Sequence, residues 1–174
     1  MKRDFVVRRA RLDDLQSIVE LRLALLREYH DHPLYSQLRP DAPARAYDLF
    51  RAQLTSPAEA MFIAERDHAT IGVLRAVETG GSALLLPERY CYVSSVYVRP
   101  NDRRHGVLRA LLAAAEIWCA ERGLNEMRLH SSTSSPVAVD TWDALGFEIV
   151  EHVRRRTLTP TSPRIRPHAH VESR

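Results

Sequence analysis

Segments with the residue pattern of strands alternate along this chain with segments whose apolar residues have helical spacing. Runs rich in β-branched and aromatic residues, which favour strands, lie at residues 5–8, 60–65, 71–77, 90–98, 127–130, 147–150 and 153–158. Apolar residues three or four positions apart, the spacing of a helix face, predict helices over about residues 13–29, 44–54, 107–122 and 137–145. The predicted order is therefore β-α-α-β-β-β-α-β-α-β-β, which favours a mixed α/β sheet with helices on its faces.

The junction between the fourth strand and the third helix, residues 96–112, has the features of an anion-binding turn. Pro100 ends the strand, and the helix that follows begins near Val107. The first turn of a helix carries unpaired N–H groups and the positive end of the helix dipole. Gly106 lets a ligand approach the backbone closely, and Arg103 and Arg104 add positive charge. We therefore expect a phosphate or pyrophosphate group to bind here.

Any strand–loop–helix junction in an arginine-rich chain shares some of these features, but this string is more specific. Val98-x-Pro100 followed by Arg103-x-x-Gly106 resembles the acetyl-CoA-binding motif of the GNAT superfamily of N-acetyltransferases, Arg/Gln-x-x-Gly-x-Gly/Ala. Leu108 departs from that motif, because it occupies the third small position.

A second block, residues 135–147, resembles the C-terminal GNAT motif Asn-x-x-Ala-x-x-Leu/Phe-Tyr-x-x-x-Gly-Phe. Ala138, Gly146 and Phe147 match it in register, whereas Ser135 replaces the usual Asn and Trp142 the usual Tyr. The resemblance covers nearly the whole chain. It implies one GNAT domain over residues 1–158, with a mixed, mostly antiparallel central sheet, helices on both faces and splayed strands at the acetyl-CoA site. Residues 159–174 form a tail containing Pro, Arg and His.

The resemblance implies transfer of an acetyl group from acetyl-CoA to an amine by direct attack in a ternary complex. Backbone groups of Val96 and Val98 would pair with pantetheine, and Ser135 would offer a hydroxyl to the cofactor or simply cap its helix. Trp142 would pack beside the cofactor and could not act as an acid, since an indole N–H is only a hydrogen-bond donor. The pyrophosphate turn would consist of Arg103, Arg104, His105, Gly106, Val107, Leu108 and Arg109.

Three residues are candidates for proton transfer. Tyr92 occupies the position at which histone-type acetyltransferases carry a carboxylate. Glu88, two residues before the strand, could act through water. His130 follows a predicted strand and carries an imidazole, the most frequent general base in enzymes. A lone histidine at a strand end is also often only a packed or hydrogen-bonded residue.

Composition narrows the remaining possibilities. A chain of 174 residues that is 45% hydrophobic fits one domain with its own core. The net charge is +3, and arginine is spread along the chain, which favours a phosphate site over nucleic-acid binding. Cys91 and Cys119 form no metal-ligand pattern, so we expect no metal. Without a signal-peptide-like or membrane-spanning apolar segment, we expect a cytoplasmic protein that does not interact with membranes.

The acceptor is expected to be a small-molecule or N-terminal amine, and the resemblance implies a homodimer. Loops 30–43 and 79–89, where acceptor specificity would lie, carry no recognisable signature. A catalytically weak or regulatory acetyl-CoA-binding module remains an alternative, because Trp142 replaces the usual tyrosine and Tyr92 the carboxylate.

Overall fold

A computed structural model describes residues 4–158 as an open sheet with helices on both faces, and the predicted fold class is confirmed. The five strands follow the order β1-β2-β3-β4-β5, antiparallel except for the parallel pair β4–β5. Their bounds are β1 Val6–Arg9, β2 Glu59–Arg66, β3 Ala69–Gly80, β4 Arg89–Val98 and β5 Met127–Leu129. The helices are α1 Leu15–Glu28, α2 Ala42–Thr55, α3 Val107–Glu121 and α4 Pro136–Asp143.

Strand alternation divides the core into two clusters, one on each face of the sheet. Alternate residues of β2 belong to different clusters, as expected when successive side chains point to opposite faces. Ile63 packs with Ile18 of α1 and Phe50 of α2, whereas Phe62 belongs to the cluster that contains Leu111 and other residues of α3. The sheet therefore lies between the α1–α2 pair and α3.

An irregularity in β4 and the short length of β5 leave a gap at the sheet edge. Tyr97 pairs with Val73 and Ser94 with Arg75, so two residues of β4 lie opposite the single residue between them on β3, which defines a β-bulge. Ser95, at the bulge, has a φ of 52°. On the other side, β5 pairs with β4 only at residues 91–93. Within residues 4–158, the rest of β4 therefore has a strand neighbour on one side only.

The two strands predicted after α4 are wrong. Residues 147–158 have no regular secondary structure, and Ile149, Val150, Val153 and Leu158 are 56–75% exposed. Their apolar runs resemble strands locally, but a strand also needs a neighbour, and this segment pairs with none in the described sheet. Arg155 donates a hydrogen bond to the Pro33 carbonyl, which ties the segment to the loop after α1. The tail predicted from residue 159 lies outside the described residues.

None of the helices within residues 4–158 combines the length and the apolar character that crossing a membrane would require.

Candidate active site

The turn before α3 presents a run of unpaired backbone donors. None of the N–H groups of residues 104–109 donates to another group of the described chain; the first that does is that of Ala110, to the Gly106 carbonyl at 3.0 Å. Gly106 caps α3 with a φ of 81°, a left-handed conformation that favours glycine. A Cβ built on Gly106 would meet no atom within 4 Å, so the space in front of these donors is open. The turn thus fits a phosphate group, as expected at a helix N-terminus.

The two arginines that precede Gly106 differ in their contacts. The Arg103 Nε donates to the Val98 carbonyl at 2.9 Å, and its Nη2 lies 2.6 Å from Glu28 Oε2 at the end of α1. The Glu28 carboxylate raises the pKa of Arg103. Arg103 therefore ties the turn to α1, and its charge is largely compensated. Arg104 is exposed and has no side-chain partner within residues 4–158, so its charge stays available to an anion.

The free edge of β4 leads directly to this turn. Tyr97 pairs with Val73, and the Arg99 N–H donates to the Ile71 carbonyl at 2.9 Å, so the Val98 backbone groups point away from β3. Val96, two residues earlier, shares that direction. These groups face the side on which β5 has already ended. The Val98 carbonyl already accepts from Arg103 Nε. An extended chain-like ligand could therefore pair with the Val98 N–H and the Val96 backbone as an added strand does.

Tyr92 and His130 form a pair where β4 and β5 separate. The Tyr92 hydroxyl lies 3.0 Å from His130 Nδ1, and the two rings meet edge to face with centroids 5.5 Å apart. Tyr92 lies opposite Arg128, two residues before His130. Burial, assisted by Tyr35 and Tyr90, raises the pKa of Tyr92 against the opposing effect of Arg75 and Arg22, so its phenol stays protonated at neutral pH.

Glu88 is not brought to this pair. It is exposed and precedes β4, and its carbonyl accepts a hydrogen bond from Gly81 N–H at 2.7 Å across the β3–β4 loop. It lies four positions before Tyr92 along an extended strand, about 13 Å at the usual rise per residue. Of the three predicted proton-transfer candidates, the structure therefore brings only Tyr92 and His130 together.

The two predicted site residues of α4, Ser135 and Trp142, both make local contacts. The Ser135 hydroxyl accepts a hydrogen bond from the Ala138 N–H at 3.4 Å, so this side chain caps its own helix. Trp142 meets Phe147 edge to face, with ring centroids 5.3 Å apart, as a packing residue does. A cleft of about 450 Å³ separates the start of α4 from the end of α1 and is lined by Glu28, Tyr29, Asp31, His32, Ser134 and Ser135.

Two arginines on the α1 face of the sheet are not among the site residues that the sequence predicts. Arg75 on β3 lies 2.6 Å from Glu59 Oε2 through its Nε, and its Nη1 donates to Ser94 Oγ at 3.1 Å. Arg22 lies on α1, which packs against β3 and β4, and its charge interacts with Arg75 and Tyr92. A signal for Arg22 was present, because it continues the apolar stripe begun by Leu15, Ile18 and Val19 at helical spacing. A charged residue in such a stripe indicates a polar site rather than core.

Comparisons with known proteins agree with this geometry. Residues 21–147 match the model of the acetyltransferase (GNAT) family. An aminoglycoside N(6')-acetyltransferase type 1 from Salmonella typhimurium is 32% identical over 62 residues, 36% of this chain and 43% of the relative. The alignment thus spans less than half the length of that curated relative.

Solved structures resemble the chain over most of its length. A predicted acetyltransferase with acetyl-CoA from Clostridium acetobutylicum superposes with a TM-score of 0.72 at 17% identity, covering 88% of this chain and 96% of the other. The aminoglycoside N-acetyltransferase AAC(6')-Iy in complex with CoA gives a TM-score of 0.73 at 23% identity, with coverages of 88% and 94%. At these identities the likeness establishes the fold.

Proposed function

Because the chain belongs to the acetyltransferase (GNAT) family, we propose that it transfers an acetyl group from acetyl-CoA to a small-molecule amine by direct attack in a ternary complex. The observation that carries this proposal is the run of unpaired N–H groups at residues 104–109, continuous with the free edge of β4. When bound, acetyl-CoA supplies an acetyl group activated as a thioester.

The turn before α3 and the free edge of β4 bind different parts of the cofactor. The N–H groups of residues 104–109 bind the pyrophosphate, and the exposed Arg104 and Arg109 add charge. Backbone groups of Val96 and Val98 pair with the pantetheine arm. Leu108 departs from the small residue of the motif without obstructing the turn, because its side chain packs against the α3 cluster. The pyrophosphate and the pantetheine arm are thus bound largely by main-chain groups.

His130 accepts the proton of the attacking amine in this proposal, and Tyr92 positions it. If the Nδ1–H of His130 donates to the Tyr92 oxygen, the Nε2 lone pair is free to act as the base. His130 is exposed, so the accepted proton can pass to solvent. As the C–N bond forms, the C–S bond of the thioester breaks and CoA leaves as a thiolate. Trp142 packs against Phe147 and supplies no proton, so the thiolate is protonated by water.

The test combines thiol release over a panel of amines with calorimetric titration of acetyl-CoA. His130→Gln is expected to lower kcat by about 10²-fold or more, the usual contribution of a general base, with unchanged acetyl-CoA affinity. Tyr92→Phe should lower kcat less and change its pH dependence. His68→Asn is the control, because His68 is an exposed histidine of the β2–β3 turn without a partner in the described chain and Asn tolerates its positive φ. Tight acetyl-CoA binding without transfer to any amine would instead support a regulatory module.

We also propose a homodimer that uses the segment after α4. Ile149, Val150 and Val153 are 56%, 75% and 67% exposed, and all three lie within five residues of one another. A second copy of the chain would cover these apolar side chains, as expected of an exposed apolar patch.

A further inference from the structure

The polar groups beside the Tyr92–His130 pair carry an excess of positive charge. Arg22 and Arg75 both lie near Tyr92. Arg75 is compensated, because its guanidinium is in an ion pair with Glu59 at 2.6 Å, and the two side chains are only 17% and 15% exposed. Glu28, at the end of α1, is likewise paired, with Arg103. Neither carboxylate is therefore left to compensate Arg22.

Arg22 has no hydrogen bond and no ion pair within residues 4–158, although it is half-buried. The groups that act on its charge are the Tyr35 and Tyr92 hydroxyl groups and the second guanidinium, that of Arg75. Burial lowers the pKa of Arg22, and Arg75 acts in the same direction. Arginine nevertheless stays protonated in proteins. The Arg22 guanidinium nitrogens are not among the buried polar atoms without a partner in the described chain, so they remain accessible and unpaired. They can therefore bind an anionic group that enters the site.

We propose that Arg22 binds a carboxylate of the acceptor, so that the acceptor is a primary amine that also carries a carboxylate, as an amino acid does. The inference rests on the proposed function, because it places the acceptor amine at the Tyr92–His130 pair. A guanidinium binds a carboxylate through two parallel hydrogen bonds, which fixes its orientation as well as its position. With the carboxylate held at Arg22, the amine of the same molecule is directed toward His130, the neighbour of Tyr92.

The same charges disfavour a polycationic acceptor. The curated relative is an aminoglycoside acetyltransferase, and an aminoglycoside carries several ammonium groups. Arg22 and Arg75 would repel those groups, and Glu59 is already engaged by Arg75. Like charges brought together in a partly buried site disfavour binding. The acceptor class therefore differs from that of the relative.

The experiment measures thiol release from acetyl-CoA with the twenty amino acids, their carboxamides and kanamycin. For the best amino acid, kcat/KM is expected to exceed that of its carboxamide by about 30-fold or more, the effect of removing one partner of a partly buried charge pair. Arg22→Met should abolish this preference, and Arg22→Lys should restore part of it. Arg27→Met is the matched control, because Arg27 lies on the same helix, is exposed and has no side-chain partner in the described chain.

Two further measurements separate a binding role from a structural one. Acetyl-CoA affinity, measured by calorimetry, should be equal in all these variants. Thermal unfolding of Arg22→Met should occur near the wild-type temperature, because Arg22 makes no hydrogen bond or ion pair in the described chain that the substitution would remove. The inference is overturned if carboxamides match the acids in the wild type, if Arg22→Met affects acids and carboxamides equally, or if kanamycin is the best acceptor.

If the proposed function is wrong, the measurements give a different result from the one expected if only the carboxylate site is wrong. If no amine releases thiol from the wild type, transfer is disproved, and calorimetric titration of the amino acids then decides the inference. Binding of an amino acid but not of its carboxamide, lost in Arg22→Met, would still support a carboxylate site. Absence of Arg22-dependent binding would reject it.

Discussion

Replacing Gly106 separates the backbone role of this residue from its role in anion binding. Its φ of 81° is unfavourable for any L-residue, and Asn and Asp tolerate it best. Gly106→Asn and Gly106→Asp should therefore each cost about 1–2 kcal/mol of unfolding free energy. For a chain of this size, a loss of about 1 kcal/mol lowers the melting temperature by about 2–4 °C. Neither variant should clash, since a Cβ at Gly106 has no atom within 4 Å.

The two variants differ only in charge, and CoA affinity is the readout. Two unit charges about 5 Å apart at an effective dielectric constant of about 20 repel by about 3 kcal/mol. Salt screening reduces this value, so Gly106→Asp should bind CoA at least about 30-fold more weakly than Gly106→Asn, equivalent to about 2 kcal/mol. Isothermal titration calorimetry at low and high salt measures the difference, which should shrink as salt rises.

Gly123 provides the matched control. It has a φ of 68°, a Cβ there would also meet nothing within 4 Å, and it lies just beyond the other end of α3. Gly123→Asp and Gly123→Asn should lose similar stability and bind CoA equally well. The assignment of the turn is refuted if Gly106→Asp and Gly106→Asn bind CoA within about threefold of each other, less than about 0.7 kcal/mol.

Three shorter predictions address other parts of the chain. Trp142→Phe should keep most of the turnover with an unshifted pH profile; a fall in kcat of about 100-fold, the contribution of a lost general acid, with CoA binding intact would contradict the packing role. Asp14→Asn should lower the unfolding free energy at pH 7 by about 1–2 kcal/mol, because the Asp14 carboxylate accepts hydrogen bonds from Arg8. Since Arg8 lowers the pKa of Asp14, this stabilisation is present above the unfolded pKa near 4 and is lost as the pH falls through the lower folded value. Urea unfolding of both proteins should therefore converge toward pH 3, and a deficit independent of pH would count against the ion pair. Val150→Glu should halve the mass seen by light scattering, with Leu84→Glu, at a 91% exposed residue, as control; an unchanged mass would reject the proposed dimer surface.

Local chemistry explains what the sequence could predict. The third helix was expected at about residues 107–122 and runs from Val107 to Glu121, because its two ends are marked by glycines and its apolar stripe is continuous. The strand–turn–helix junction is equally local. The donors of the turn could therefore be predicted without knowing which strands are neighbours.

Features that depend on distant partners could not be predicted in this way. The runs at 147–150 and 153–158 have strand-like composition, yet no strand lies beside them in the described sheet. Tyr92 and His130 are 38 positions apart and meet only because β4 and β5 pair in one particular register. Ser95 carries no glycine-like signal for its positive φ, so the bulge could not be read from its residue type.

The single extra residue at Ser95 changes which side chains of β4 point to which face of the sheet. Before it, the odd-numbered Cys91 and Val93 belong to the α3 cluster; after it, the even-numbered Val98 belongs there and Tyr97 points to α1. In a regular strand, Tyr97 would share a face with Val93. Because strand periodicity is two, no substitution can reproduce this shift, whereas deletion of one codon would invert every side chain from Val96 onward. Among homologues, β4 should therefore tolerate replacement at position 95 far more readily than any change in its length.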